Sequence, residues 1–95
     1  MESVERLVEQ LKVSAKSNPK SVAGALTGSV QKNGRVEVRI IGAGALNQAV
    51  KALAIARKFA DQNGSNLICM PDFMDIEMDD GRKTGIKLTV EYQKN

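Results

Sequence analysis

The chain has 95 residues, 42% of them hydrophobic and 26% charged, the mixture of one globular domain with no room for a second core. It contains no His, no Trp, one Cys and only 3% aromatic residues. That excludes histidine-based acid–base catalysis, Ser–His and Cys–His nucleophile pairs, the usual zinc sites, and platforms of stacked rings for bases.

The net charge of +3 conceals an asymmetry. From Lys12 to Lys58 nine Lys or Arg face one acid, Glu37, a net +8; the other positions carry five basic and ten acidic side chains, a net −5. Such a distribution suggests a basic surface that meets phosphate, although cations also simply solvate helix faces.

Val4, Leu7 and Val8 fall at helical spacing, so a short amphipathic helix over residues 3–9 is expected, with Ser3 as its cap. No apolar block of a signal peptide stands here, and no stretch has the length of a membrane span. Leu11, Val13 and Ala15 alternate with polar residues and predict a first strand. Pro19, capped by Ser17 or Asn18, opens a helix whose apolar stripe is Val22, Ala25, Leu26 and Val30 with Ser29, ending at Gly34. Gly24 and Gly28 on this helix cost about 1 kcal/mol each relative to Ala and imply close approach of the sheet or of a partner subunit.

"RVEVRII" predicts the second strand, and the "GAGA" turn leads into a second helix over residues 45–62. Leu46, Ala49, Val50, Leu53, Ala56 and Ala60 form its apolar face. "LICMPDFMDIEM" reads as a third strand, with Pro71 marking an edge or bulge. Cys69 within it is expected as a buried strand residue. One cysteine cannot form an internal disulfide, which suits a reducing, cytoplasmic setting. "DDGRKTG" reads as a turn with an Asp80–Gly81 hairpin signal, and "IKLTVEY" as the fourth strand. The expected order is β-α-β-α-β-β, an α/β (α+β two-layer) domain over residues 10–95, with residues 1–9 as an extension.

Two parallel strands, each followed by a helix, put both strand-to-helix loops on one sheet edge. There the helix N-termini favour an anion. Lys16 and Lys20 flank the first loop, Gly42 and Gly44 form the second, and Asn47 begins the second helix. "GAGALN" offers G-x-G, but Asn47 stands where a dinucleotide site needs its third glycine. Asp72 and Asp75 are the one carboxylate pair an enzyme could use, with nothing to indicate a pocket. No catalytic residue, metal site or cofactor is expected.

"LKVSAKSNPKSVAGAL", "IGAGALNQAVKALAIAR" and "LICMPDFMDI…DGRKTGIKLTVE" resemble the bacterial stage V sporulation protein S family over residues 10–92. That family is similar in fold to Alba, small dimeric DNA- and RNA-binding proteins. The resemblance implies an Alba-like fold with a mixed four-stranded sheet and two helices. It further implies a homodimer or higher oligomer and a regulatory role in sporulation or cell development. "AKSNP" resembles Alba's first loop and carries its basic contact residue to Lys16. "ALNQAV" resembles the segment opening Alba's second helix. "DGRK" resembles the tip of Alba's DNA-tracking hairpin and carries contacts to Arg82 and Lys83.

Where Alba's second loop typically has arginines, this chain has Gly42, Ala43 and Gly44. Asp72, Asp75, Glu77, Asp79 and Asp80 also flank the hairpin. Both departures imply weaker nucleic-acid binding than Alba's. The leading expectation is therefore a sequence-tolerant DNA- or RNA-binding protein, cytoplasmic and nucleoid-associated, with Lys16, Lys20, Gly42, Gly44, Asn47, Arg82 and Lys83 at its interface. The alternative is a structural or protein-interaction module whose partner binds Val4, Leu7 and Val8.

Overall fold

The structure, a computed structural model, describes residues 8–94. Its elements run β1 (Glu9–Val13), α1 (Pro19–Asn33), β2 (Arg35–Ile40), α2 (Ala43–Gln62), β3 (Ser65–Met78) and β4 (Gly81–Lys94). The four strands form one mixed sheet in the order β1-β2-β4-β3. β1 pairs with β2 in parallel, and the other two pairings are antiparallel. Both helices pack side by side on one face of this sheet, as the β-α-β-α-β-β order implied.

Strand alternation sorts the sheet into two faces. Val36, Val38 and Ile40 of β2, with Leu88 and Val90 of β4, are buried beneath the helices. Each contributes about 1.5–3 kcal/mol by leaving water. Glu37 and Arg39, between them, belong to the opposite, open face. From α1 the core receives Ala23, Leu26 and Val30, with Thr27 and Ser29 also buried. The expected stripe was thus offset: Val22 is half-buried and Ala25 is exposed, whereas Ala23 and Thr27 are buried.

The second helix differs more. Its buried seam is Ala45, Ala49, Ala52, Ala56 and Ala60, while Leu46 and Val50 are exposed and Leu53 is half-buried. Small side chains let α2 sit close on the sheet and on α1. The larger apolar residues, read as part of the core face, lie around the helix from it. Gly24 and Gly28 are exposed, and a Cβ at either would meet nothing within 4 Å. The sheet therefore makes no close approach to them.

At the amino terminus, the expected helix over 3–9 falls mostly outside the described residues. Glu9, its last position, is the first residue of β1, where its carboxylate accepts hydrogen bonds from Ser29 Oγ and from Asn33 Nδ2 at 3.3 Å. Ala15 lies past the strand, in a turn.

The hairpin is longer than the sequence suggested. β3 and β4 pair continuously from Ser65 with Lys94 to Met78 with Gly81, so the turn is Asp79–Asp80 and "GRKTG" belongs to β4. β2 reaches only as far as the Ile40–Ile86 pair. Residues 74–78 and 81–85 therefore project beyond the carboxyl end of β2 as a two-stranded arm. At its root a Cβ on Gly85 would stand 2.7 Å from the Ile40 carbonyl oxygen. Only glycine lets β4 pass so close to the last residue of β2. Pro71 lies in β3, an edge strand, as its missing N–H requires.

Candidate nucleic-acid interface

The first loop is a turn bonded to itself. Ser14 N–H donates to Ser17 Oγ at 2.9 Å, Ser17 N–H donates to the Ser14 carbonyl at 3.0 Å, and Lys16 N–H donates to Ser14 Oγ at 3.2 Å. Lys16 is held at its crest, exposed. Asn18 then caps α1: its Oδ1 accepts from Lys20 N–H at 2.9 Å and Ser21 N–H at 3.2 Å. Pro19 has no N–H. The first turn of α1 thus has fewer free donors than a bare helix end, and the cations this loop presents to solvent are Lys16 and Lys20.

The second loop is built differently. Gly42 lies at φ 95, ψ 157, a region essentially closed to other residues, and it offers no side chain to cap α2. The first α2 bond it supports runs from Leu46 N–H to the Gly42 carbonyl at 3.1 Å. The uncapped first turn, with its dipole, is the anion-favouring end of this pair. Gly44, expected in the loop, lies inside that first turn. A Cβ there would stand 2.8 Å from Ala15 Cβ, so its absence lets the two loops touch. Gln48 Nε2 locks them further by donating to the Ser17 carbonyl at 2.8 Å. Asn47 is exposed on the outward side of α2, roughly opposite its alanine seam, apart from the loop contact.

The arm leaves the sheet at the same end, beyond Ile40. Its two faces carry different chemistry. Asp75 and Glu77 share one face with Arg82, whose Nε lies 3.8 Å from Glu77 Oε2. Lys83 pairs in register with Ile76 on the other face, with Met74 and Met78. The acidic flank therefore compensates Arg82 and not Lys83. Asp72 lies opposite Lys87 on the open face, whereas Asp75 lies opposite Thr84 on the helix side. The two carboxylates point to opposite faces and form no acid–base pair.

One feature escaped the sequence reading. Lys12, Arg39 and Lys87 occupy successive strands in register on the open face, and none has a salt bridge among the described residues. The alternation of β1, β2 and β4 was the signal, but only the strand order shows that these cations form a row. Cys69 lies in β3, half-buried against the core, and burial pushes its thiol pKa up. Among the described residues no group of His, Cys, Asp or Glu is arranged to hold a metal ion, and no helix is long and apolar enough to cross a membrane.

A family model, stage V sporulation protein S (SpoVS), matches residues 9–93, from the first residue of β1 almost to the end of β4. The chain belongs to that family. Membership supports a sporulation-related role for this SpoVS protein. The matched span includes both loops, the arm, both helices and all four strands except Lys94.

Proposed function

We propose that this SpoVS protein binds nucleic acid through its phosphate backbone, with little sequence preference, and acts in regulation as a homodimer. The observation that carries this reading is the gathering of both strand-to-helix loops and the arm at one end of the sheet. Lys16, Lys20 and the Gly42 end of α2 stand there beside Lys83 and Arg82. Cations and uncapped amides hold phosphates without reading bases. Asn47, facing outward, is the weakest member of the set, and Arg82 contributes less than Lys83 because Glu77 already compensates it.

Dimer formation draws support from the exposed flank of α2. Leu46 is 39% and Val50 53% exposed, and both lie away from the Gly44–Gln48 side that meets the first loop. Phe73, on the edge strand β3, is 82% exposed. Covering such surface stabilises a domain this small.

Fluorescence anisotropy with a short DNA duplex and a single-stranded RNA tests the binding claim. Lys16→Glu and Lys83→Glu should each weaken binding clearly, and Arg82→Glu should weaken it less. Absence of binding at low salt would remove the proposal and favour a protein-interaction module acting through the apolar flank.

A further inference from the structure

The open face of the sheet holds a groove of about 400 Å³ between β1 and the arm. Its character is amphipathic. Met74, Ile76 and Met78 of the arm and Ile41 after β2 supply an aliphatic and thioether lining, while Lys12 and Arg39 stand on the β1–β2 side. Register explains how residues so distant in sequence meet. All of these side chains belong to the open face of their strands, and the arm extends past the end of β2 alongside Ile41.

The two ends of the groove ask for different things. Lys12 and Arg39 are directly opposite in a parallel pair, with Lys87 next in the row. Like charges opposed in this way repel. The nearest acid on this face, Glu37, accepts from Gln10 Nε2 at 3.4 Å, and Arg39 Nη1 donates to Gln10 Oε1 at 3.4 Å. Gln10 therefore stands between Arg39 and that carboxylate, and Asp72, in the same row, faces Lys87, so Lys12 and Arg39 have no direct anion. The arm residues that line the groove offer neither rings nor hydrogen-bonding side chains, and Lys83 of the same face stands outside that lining. Methionines adapt to an aliphatic body through dispersion and carry no information about bases. Met78 is itself 42% exposed.

We propose that this groove binds a soluble amphipathic anion, an aliphatic chain ending in a carboxylate. The head lies between Lys12 and Arg39 and the chain along Met74, Ile76 and Met78. The volume falls at the lower end of ligand-binding clefts, about 300–1,000 Å³. The groove borders the first loop, whose Ser14 and Ala15 help to line it, but Lys12 and Arg39 are not among the residues proposed for nucleic acid, so the inference stands without that reading.

Calorimetric titration of the full chain with decanoate, octanoate and decanol, below the concentration at which decanoate forms micelles, tests it. Decanoate should bind saturably, one per chain. Octanoate should bind about tenfold more weakly for the loss of two buried methylenes. The double variant Lys12→Gln/Arg39→Gln should weaken decanoate about tenfold and leave decanol unchanged. Met78→Asp, at an exposed position, should weaken both, with circular dichroism confirming that each variant is folded. Equal affinity for decanoate and decanol, indifference to the double variant, or binding only above the micellar concentration would overturn the proposal. So would absence of decanoate binding, including the case where the double variant weakens oligonucleotide binding instead and assigns the cation row to the nucleic-acid surface.

Discussion

Single glycines set a backbone conformation or a close approach in this protein, and each has a measurable consequence. Gly42 occupies φ 95, ψ 157, so Gly42→Ala should cost about 1–3 kcal/mol of stability in urea denaturation and weaken any anion held at α2. Gly85→Ala places a Cβ 2.7 Å from a backbone oxygen that cannot rotate away. It should cost at least about as much as overpacking a core, about 1–3 kcal/mol, and splay the arm.

Cys69 sets a pH dependence. Its thiol pKa is higher folded than unfolded because burial disfavours the thiolate. The stability this contributes is fully present below the unfolded value, near pH 8.5, and is lost as pH rises through the folded one. Cys69→Ala should flatten that alkaline loss in thermal melts compared at pH 7 and pH 10. An unchanged alkaline slope would assign it to other groups.

Among the elements, α1 was the most legible from sequence and α2 the least. Asn18, Pro19 and Gly34 punctuate α1 by local chemistry, and the structure has that cap and that left-handed end. Asn18→Ala should therefore cost about 0.5–2 kcal/mol. The face of α2 was misjudged because hydrophobicity ranks Leu46 and Val50 above alanine, whereas tight helix–sheet packing selects size. Local pattern cannot show which of two apolar flanks faces the sheet.

The hairpin was misjudged for a related reason. Asp80–Gly81 is a strong turn signal, but continuous pairing shifts the turn to Asp79–Asp80 and draws Arg82 and Lys83 into a strand. Strand alternation then separates Lys83 from Asp75 and Glu77, a distinction invisible to a count of charges. On α1, Gly24 and Gly28 approach nothing within the chain. Replacing either by Ala should stabilise the isolated chain by up to about 1 kcal/mol. If it also lowers the assembled fraction in light scattering, a partner subunit uses that face.

At the scale of the whole molecule, the candidate site exists only through topology. Residues 16, 42 and 83 belong to three segments that the sheet order carries to one end, and the charge asymmetry of the sequence is its faint projection. The family match over residues 9–93 agrees with the resemblance legible in the glycine-turn and hairpin segments. Assembly belongs to this scale as well. Val50→Asp together with Phe73→Asp should leave the fold intact and shift the protein to monomer in light scattering, and persistence of a dimer would place its interface elsewhere.

The most direct test of the central claim is the salt dependence of binding to a short DNA duplex. Lys16, Lys20, Arg82 and Lys83 engaging four phosphates predict a slope of log K against log salt near −3.6 for each protomer engaged, or about −2.7 if Arg82 stays with Glu77. Lys83→Glu should make either slope shallower by about 0.9. A slope near zero, or one that Lys16→Glu and Lys83→Glu leave unchanged, would contradict phosphate-backbone recognition at this end of the sheet.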